Sequence, residues 1–526
     1  FAPLLGVLVL IFVPQQKGQW IQWIGIVASL LPLLLAVWLY VDFDHLTGEM
    51  QYEESARWIQ VPLNQESPVL QPFAGYEYVF DYKTAVDGLS LPLVLLTALV
   101  SFMAALAAVH IKKRWKSFYI LFLLLETGML GVFLAQDLFL FFIFFEITLI
   151  PAYFLIGIWG YRNRERAANK FLLYNGIGSA VMLIAFLIIV NTAGMTVTEL
   201  PDGGTKLSYS GDIRVITENL NNPGAFANVG ENMFPGNPFY ISPALKWALF
   251  IMLLIAFGIK LPIFPFHTWM LKVHAEAPPP LVMLHSGVML KMGAYGLIRF
   301  GVMFFPEQAR EWAFVLAVLG LINILYGAVL AFVQKDFKLI LAYSSVSHMG
   351  IVLFGIAALN QAGLKGAVFQ LVSHGLISAL MFLLVGSIYV RTQTTEIDKL
   401  GGLAKSIPFM SGILLVAGLA SLGLPGLSGF VSEFLSFLGL FAEFPAVAVI
   451  GAAGIVLTAA YVLRGVMRMT YGPMPDRYAR ISDARLVEVI PMITLVAFIL
   501  LIGIYPAVLS EPMQETIQSI VVKMGG

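Results

Sequence analysis

Apolar runs of roughly 18 to 25 residues follow one another along almost the whole chain, each long enough to carry a helix across a bilayer of about 30 Å. Such runs would not suit a soluble fold. Only 12% of the 526 residues are charged and 59% are hydrophobic, about half the charge with which a soluble domain covers its surface. Most of this protein's surface must therefore face lipid. About fourteen spans are read, near 1–13, 21–40, 87–109, 117–135, 138–159, 168–192, 244–264, 278–300, 311–333, 338–358, 364–390, 407–438, 446–470 and 487–509. The run 407–438 is too long for one helix. The expected fold is an all-α polytopic membrane protein.

Composition also excludes chemistry. There are no cysteines, which removes iron–sulfur clusters, thiolate metal sites and disulfides. No GxGxxG or Walker pattern opens a helix after a strand, so nothing argues for nucleotide binding. The run FAPLLGVLVLIFV begins at Phe1. It reads as a membrane helix and not a cleaved signal, because no small-residue cleavage site follows; an initiator and a few residues are expected to precede it.

The loops sort by charge. Those after odd-numbered spans carry Lys112, Lys113, Arg114 and Lys116, then Arg162, Arg164, Arg166 and Lys170, then Lys335 and Lys338, and later Arg391, Lys399, Lys405, Arg468, Arg477, Arg480 and Arg485. Loops after even-numbered spans include Asp42, Asp44, Glu49, Glu53 and Glu54, and Glu199, Asp202, Asp212 and Glu218. About twenty Lys and Arg fall on one side and about nine on the other, as the positive-inside rule expects. Both termini then lie on the trans side, with the basic loops cytoplasmic. The long segments 41–86 and 193–243 read as polar trans-side loops that cap the bundle or meet a partner.

A charge at the centre of a membrane helix costs about 2.5–3.5 kcal/mol and usually marks an ion path. Five residues stand that deep: Glu146, Lys260, Lys291, His348 and His374. Each has a bland reading. A histidine can bond a neighbouring helix, a glutamate can be a static staple, and Lys260 can snorkel if its helix ends nearby. Five such accidents in spans otherwise nearly free of charge are harder to accept than one proton path. Lys246, at the start of its span, reads as snorkelling, and Glu126 is buried without an assignable partner. His267, His274 and His285 flank PIFPFHTWMLKVHAEAPPP, with spacings that fit neither zinc nor haem.

Two spans break deep in the membrane. One is KLPIFPFHTWM, with Pro262 and Pro265; the other is LGLPGLSGFVSEF, with Pro425, Gly426 and Gly429, followed by Glu433. Interior proline costs a helix roughly 3 kcal/mol, and broken backbone at that depth survives only where it lines a cavity or is buried in protein. The breaks fall in the seventh and twelfth spans. Spans four to eight and nine to thirteen are thus candidate repeats, the second inverted relative to the first. The expected division is N-terminal helices at 1–110, a first unit at 117–300, an inverted second unit at 311–470, and a last helix with tail at 487–526.

The stretches DLFLFFIFFEITLIPAYFLIGIWG, KLPIFPFHTWMLKVHAEAPPP, VMLKMGAYGLIRF, AYSSVSHMGIVLFG and LPGLSGFVSEF resemble chain 4 of the proton-pumping NAD(P)H:quinone oxidoreductases, respiratory complex I and its photosynthetic relative. VDGLSLPLVLLT and ETGMLGVFLAQDLFLFFIFFE look most like the cyanobacterial and chloroplast type. The resemblance implies that Glu146 pairs with Lys260 and that Lys291 is a central-axis lysine. It implies that His348 and His374 link two half-channels, and that Glu433 ends the exit half. It further implies no prosthetic group in this chain, with iron–sulfur clusters and the quinone site in other subunits of one complex. A thylakoid or bacterial inner membrane is the expected location. The rival readings are a subunit of a multi-subunit sodium/proton antiporter, a standalone solute transporter, and a scaffold spacer.

Overall fold

The computed structural model describes residues 1–63, 73–108, 111, 113–199, 205–230 and 237–524; Lys112 and Asp202 lie outside the described residues. The chain begins with helices α1 (Ala2–Phe12) and α2 (Gly18–Asp42), then strands β1 (Gln51–Leu63) and β2 (Phe73–Val86). Helices α3 (Leu91–Ala107), α4 (Trp115–Leu134), α5 (Leu138–Trp159) and α6 (Arg164–Ala193) follow. Strands β3 (Met195–Glu199) and β4 (Thr205–Ser210) and the short helix α7 (Ile213–Asn221) lead into α8 (Pro243–Lys260) and α9 (Thr268–Glu276). Helices α10 (Pro279–Leu284) and α11 (Leu290–Gly296) are joined by a π-helical turn, His285–Met289, and run on to Val302. After α12 (Pro306–Glu311) come α13 (Ala313–Val333), α14 (Phe337–Ala357) and α15 (Gln361–Thr392). Last are α16 (Pro408–Ser421), α17 (Ser428–Glu443), α18 (Pro445–Thr470), α19 (Leu486–Ile504) and α20 (Ala507–Lys523).

Among the described residues, eleven helices are long and apolar enough to cross a membrane, and α1, α3 and α16 are shorter apolar helices. The long run at 407–438 is two helices, α16 and α17, separated at the expected break. Burial divides the bundle into a centre and a rim. The apolar stretches of Pro279–Val302 and Gln361–Thr392 are wholly buried, whereas most of α2 and α19 is not. The rim shows Trp20, Trp23, Ile177, Phe434, Val456 and Ile490 outward, the side chains lipid accepts and water does not. A charged residue on α11 or α15 is therefore enclosed by protein on every side.

The expectation of an all-α chain needs correction. The two trans-side segments fold together into a four-stranded sheet in the order β1-β2-β4-β3. β1 and β2 form an antiparallel pair with Ala56 opposite Tyr82, and β2 pairs in parallel with β4, Tyr78 opposite Tyr209. Lys83, on β2, reaches Asp212 at 2.6 Å and Glu53 at 3.0 Å, while Lys206 meets Glu77 at 2.6 Å. Burial alone would lower the affinity of Lys83 for its proton, but Asp212 and Glu53 outweigh it and hold the group above its ordinary value. Lys246 also belongs to this cap and donates to Asn228 at 2.8 Å. The sheet thus ties the loop after α2 to the loop after α6.

Candidate functional site

The second helix break creates a hydrogen-bond acceptor. Ser421 ends α16, and the residue four positions on, whose N–H would ordinarily close the last turn on the Ser421 carbonyl, is Pro425. Proline has no N–H, so that oxygen needs another donor. His348 Nε2 takes it at 3.0 Å. The other ring nitrogen, Nδ1, stands 2.8 Å from the Ser344 carbonyl. A carbonyl only accepts, so both contacts are hydrogen bonds only when both ring nitrogens carry protons. Glu433 Oε1 lies 3.7 Å from Nε2 and supplies the counter-charge for such an imidazolium. Gly423, between the two helices, has φ +77°, and a Cβ there would stand 2.6 Å from Glu433 Oε2. Only glycine lets the backbone turn there and the carboxylate come this close.

On the other side of His348 lies His374, with ring centroids 5.3 Å apart. His374 Nδ1 is 2.8 Å from Lys291 Nζ, and Lys291 also donates to the Ser286 carbonyl in the π-helical turn. Imidazole and amine share one proton across that contact: whichever holds it donates to the other. Lys291 is wholly buried, and His348, His374 and Glu433 are nearly so. Two small cavities, of about 10 and 20 Å³, open on either side of the histidine pair, each with room for about one water. Toward the trans side the first is lined by Gln370, Ser373 and Glu433. Ser373 meets Ser428 at 2.8 Å, and Ser432 bonds Gln370. Lys291, His374, His348 and Glu433 therefore form one continuous polar line.

The first break places Lys260 at the end of α8, 1% exposed. Its Nζ has no hydrogen-bond partner and stands over the Phe145 and Phe171 rings, 5.0 and 5.6 Å from their centroids. The interrupted backbone beyond it is held from α13: Asn323 Oδ1 accepts from Phe264 N at 2.8 Å, and Asn323 Nδ2 donates to the Pro262 carbonyl at 3.3 Å. Glu146, half-buried on α5, acts on Lys260 through charge. The ion pair that the family resemblance implied is not formed. No contact within 4 Å joins the two among the described residues, and one Glu146 oxygen is unpartnered.

Two histidines that sequence reasoning set aside complete the arrangement. His274 Nε2 and His285 Nδ1 are 2.9 Å apart, and both side chains are wholly buried. Phe171 packs against Lys260 on one hand and the His285 ring on the other. His285 begins the π turn that ends just before Leu290–Lys291. The pair thus stands between the two lysines. Metal-site spacing was the wrong test for these residues. The available signal was depth, because His285 sits in LVMLHSGVMLK as deeply as Lys291 does. His267 is also buried, with both ring nitrogens unpartnered, packed against Phe264 and Tyr326. Glu126 has a partner after all: Ser29 of α2 donates to it at 2.8 Å. No group of three or more His, Asp or Glu side chains that could hold a metal is found among the described residues.

A helical bundle crossed by a buried file of lysines, histidines and a glutamate, with a broken helix near each end, is in class an antiporter-like membrane subunit. Residues 135–458 match the family described as NADH:quinone oxidoreductase/Mrp antiporter, TM. A Thermosynechococcus vestitus protein named NAD(P)H-quinone oxidoreductase chain 4 2 is 39% identical, over 98% of this chain and 90% of its own length. A chain of respiratory complex I from Thermus thermophilus with bound NADH aligns at a TM-score of 0.81 and 28% identity, covering 100% of this chain and 98% of that one. A chain of the Mrp complex from Dietzia sp. aligns at 0.77 and 21% identity, covering 99% and 97%, which speaks for the fold alone. The chain belongs to the NAD(P)H-quinone oxidoreductase chain 4 family of integral membrane subunits.

Proposed function

We propose that this subunit carries protons across the membrane along Lys260, the His285–His274 pair, Lys291, His374, His348 and Glu433. The observation that carries the reading is the line from Lys291 to Glu433, in which 2.8, 5.3 and 3.7 Å separate successive partners. A proton from the cytoplasmic side is taken up by Lys260, whose charge Glu146 stabilises without touching it. Passed inward, it arrives at Lys291, moves onto His374 and then His348, and leaves by Glu433 through the serines around Ser428. One water in each cavity bridges the histidine pair to its neighbours. Moving a charge against 100 mV costs about 2.3 kcal/mol, which a chain without a redox centre cannot supply. The driving force comes from iron–sulfur and quinone chemistry in partner subunits of the same complex, in a thylakoid membrane as the cyanobacterial relatives suggest.

This function fits fourteen crossings, counting α1, α3 and the α16–α17 pair as spans. It also fits two inverted five-helix units, 117–300 and 311–470, with Lys260 at one break and Glu433 at the other. Lys260→Ala in the assembled complex is expected to abolish donor-driven proton uptake into inverted vesicles. Uptake retained with intact assembly would remove Lys260 from the path. Sodium-dependent proton exchange without any electron donor would instead favour a sodium/proton antiporter, the reading that the Mrp-like fold keeps open.

A further inference from the structure

Lys338 was read from sequence as one more cytoplasmic loop cation, but its side chain is only 7% exposed. Its Nζ stands 3.7 Å from the centroid of the Tyr161 ring and 4.8 Å from that of Tyr389, and these two rings meet edge to face at 4.9 Å. The carboxylates nearby are engaged elsewhere. Asp336 accepts from the N–H groups of Lys338 and Leu339 and from the Thr395 hydroxyl; Glu276 accepts from the backbone and side chain of Asn163. The lysine is held by aromatic faces, without an ion pair among the described residues. Such a site favours the cation yet leaves its protons free to exchange.

What lies beneath this cage gives it a role. Lys338, Leu341, Ser345 and His348 are spaced three, four and three residues apart, one stripe of α14. His374, Ser378, Phe382 and Tyr389 are spaced four, four and seven apart, one stripe of α15. The cavity of about 20 Å³ lies between those stripes, lined by Leu341, Ser345, His348, His374, Ser378 and Phe382. The cage closes the cytoplasmic end of the same seam. Between the two stand Leu341 and Phe382, an apolar plug about one helical turn deep.

We propose that the α14–α15 seam is a second cytoplasmic branch of the proton path, joining the file at His348 and His374, with Lys338 as the exchange group at its mouth. Neutral Lys338 takes a proton from cytoplasmic water as its ammonium reforms over the tyrosine rings. When the plug is wetted, the ammonium gives that proton to water in the cavity, and the water passes it to the histidine pair. The groups facing the lysine are Asp336 from its own helix turn, Glu276 from α9, Tyr161 from the loop after α5, and Tyr389 from α15.

The branch rests on the proton-file reading, and the experiment separates the two. Inverted vesicles bearing the whole complex are assayed for donor oxidation and proton uptake with Lys338→Arg, Lys338→Met, Ser345→Val and Lys260→Ala. Arginine keeps a cation over the rings but does not release its proton. A structural lysine therefore predicts wild-type uptake for Lys338→Arg and damage only for Lys338→Met. The branch predicts that both lose uptake about tenfold or more, with assembly intact for Lys338→Arg. Ser345→Val, which fills and dries the cavity without touching the cage, is expected to lose uptake as well. Wild-type uptake in Lys338→Arg overturns the branch. Should the Lys338 variants fail to assemble, wild-type uptake in Ser345→Val overturns it instead. If Lys260→Ala pumps normally, the file itself fails, whatever Lys338 does.

Discussion

Replacing His374 tests the file at its narrowest point. The imidazole fills the gap between Lys291, 2.8 Å from its Nδ1, and the His348 ring, 5.3 Å from its own. Without it, Lys291 and His348 are separated by on the order of 8 Å, whereas one bridging water spans about 5.6 Å. A phenylalanine occupies the same space and excludes water, so no proton wire forms. A relay group contributes about 10²- to 10⁴-fold, and His374→Phe should lower proton uptake by at least that lower bound. His374→Ala leaves room for two waters and should retain more activity than the larger, better-packed phenylalanine. That ordering runs opposite to stability, since a buried ring truncated to alanine costs about 3–5 kcal/mol. The assay is dye-reported acidification of inverted vesicles, normalised to assembled complex and followed together with donor oxidation. Uptake in His374→Phe near wild type, or below-phenylalanine uptake in a fully assembled His374→Ala, would refute the hopping geometry.

Two further outcomes follow from charges outside the file. Asp137 caps α5 through one carboxylate oxygen while the other is buried without a partner, and burial, aided by the nearby Asp212, pushes its carboxyl up to about 7 against the backbone bonds that oppose it. A raised carboxyl stabilises the fold fully at low pH and loses that contribution as pH climbs from about 4 through about 7, so melting of the solubilised complex should fall over that window, by up to about 4 kcal/mol. Asp137→Asn, which keeps the cap, should flatten the profile. Arg299 and Asp87 form an ion pair in which each is 3% exposed; Arg299→Met should cost on the order of 3–5 kcal/mol by stranding the carboxylate, and Arg299→Met with Asp87→Asn should recover much of it, read as complex abundance on native gels.

How much of this was legible from residues alone depends on which cost dominates locally. Lys291, His348 and His374 stood out because lipid makes a central charge expensive, and Pro425 because a proline vacates a backbone donor. Both penalties are paid within a few residues and so are written locally. The contact between Glu146 and Lys260 was not legible, because its distance is set by how α5 packs on α8, and the structure keeps them apart. The trans-side sheet was legible in principle. Tyr76, Tyr78, Phe80 and Tyr82 alternate with Glu77, Val79 and Asp81 along β2, the period-2 pattern of a strand. Its partner β4, however, lies across four intervening helices in sequence, and no local pattern states that pairing. His274 and His285 show the same limit, as their 2.9 Å contact depends on how α9 folds back beside the π turn.

The Ser421 carbonyl is both the stub of an unfinished helix and a wall of the seat on which His348 holds its proton. Any change that knitted α16 and α17 into one rod would draw that oxygen back into the backbone and leave the imidazole nothing to grip. Any loss of the imidazole would strand the oxygen in a dry interior. Neither can drift harmlessly while the other stays. Two positions 77 residues apart, one shaping the chain and one carrying the charge, are thus bound to a common fate.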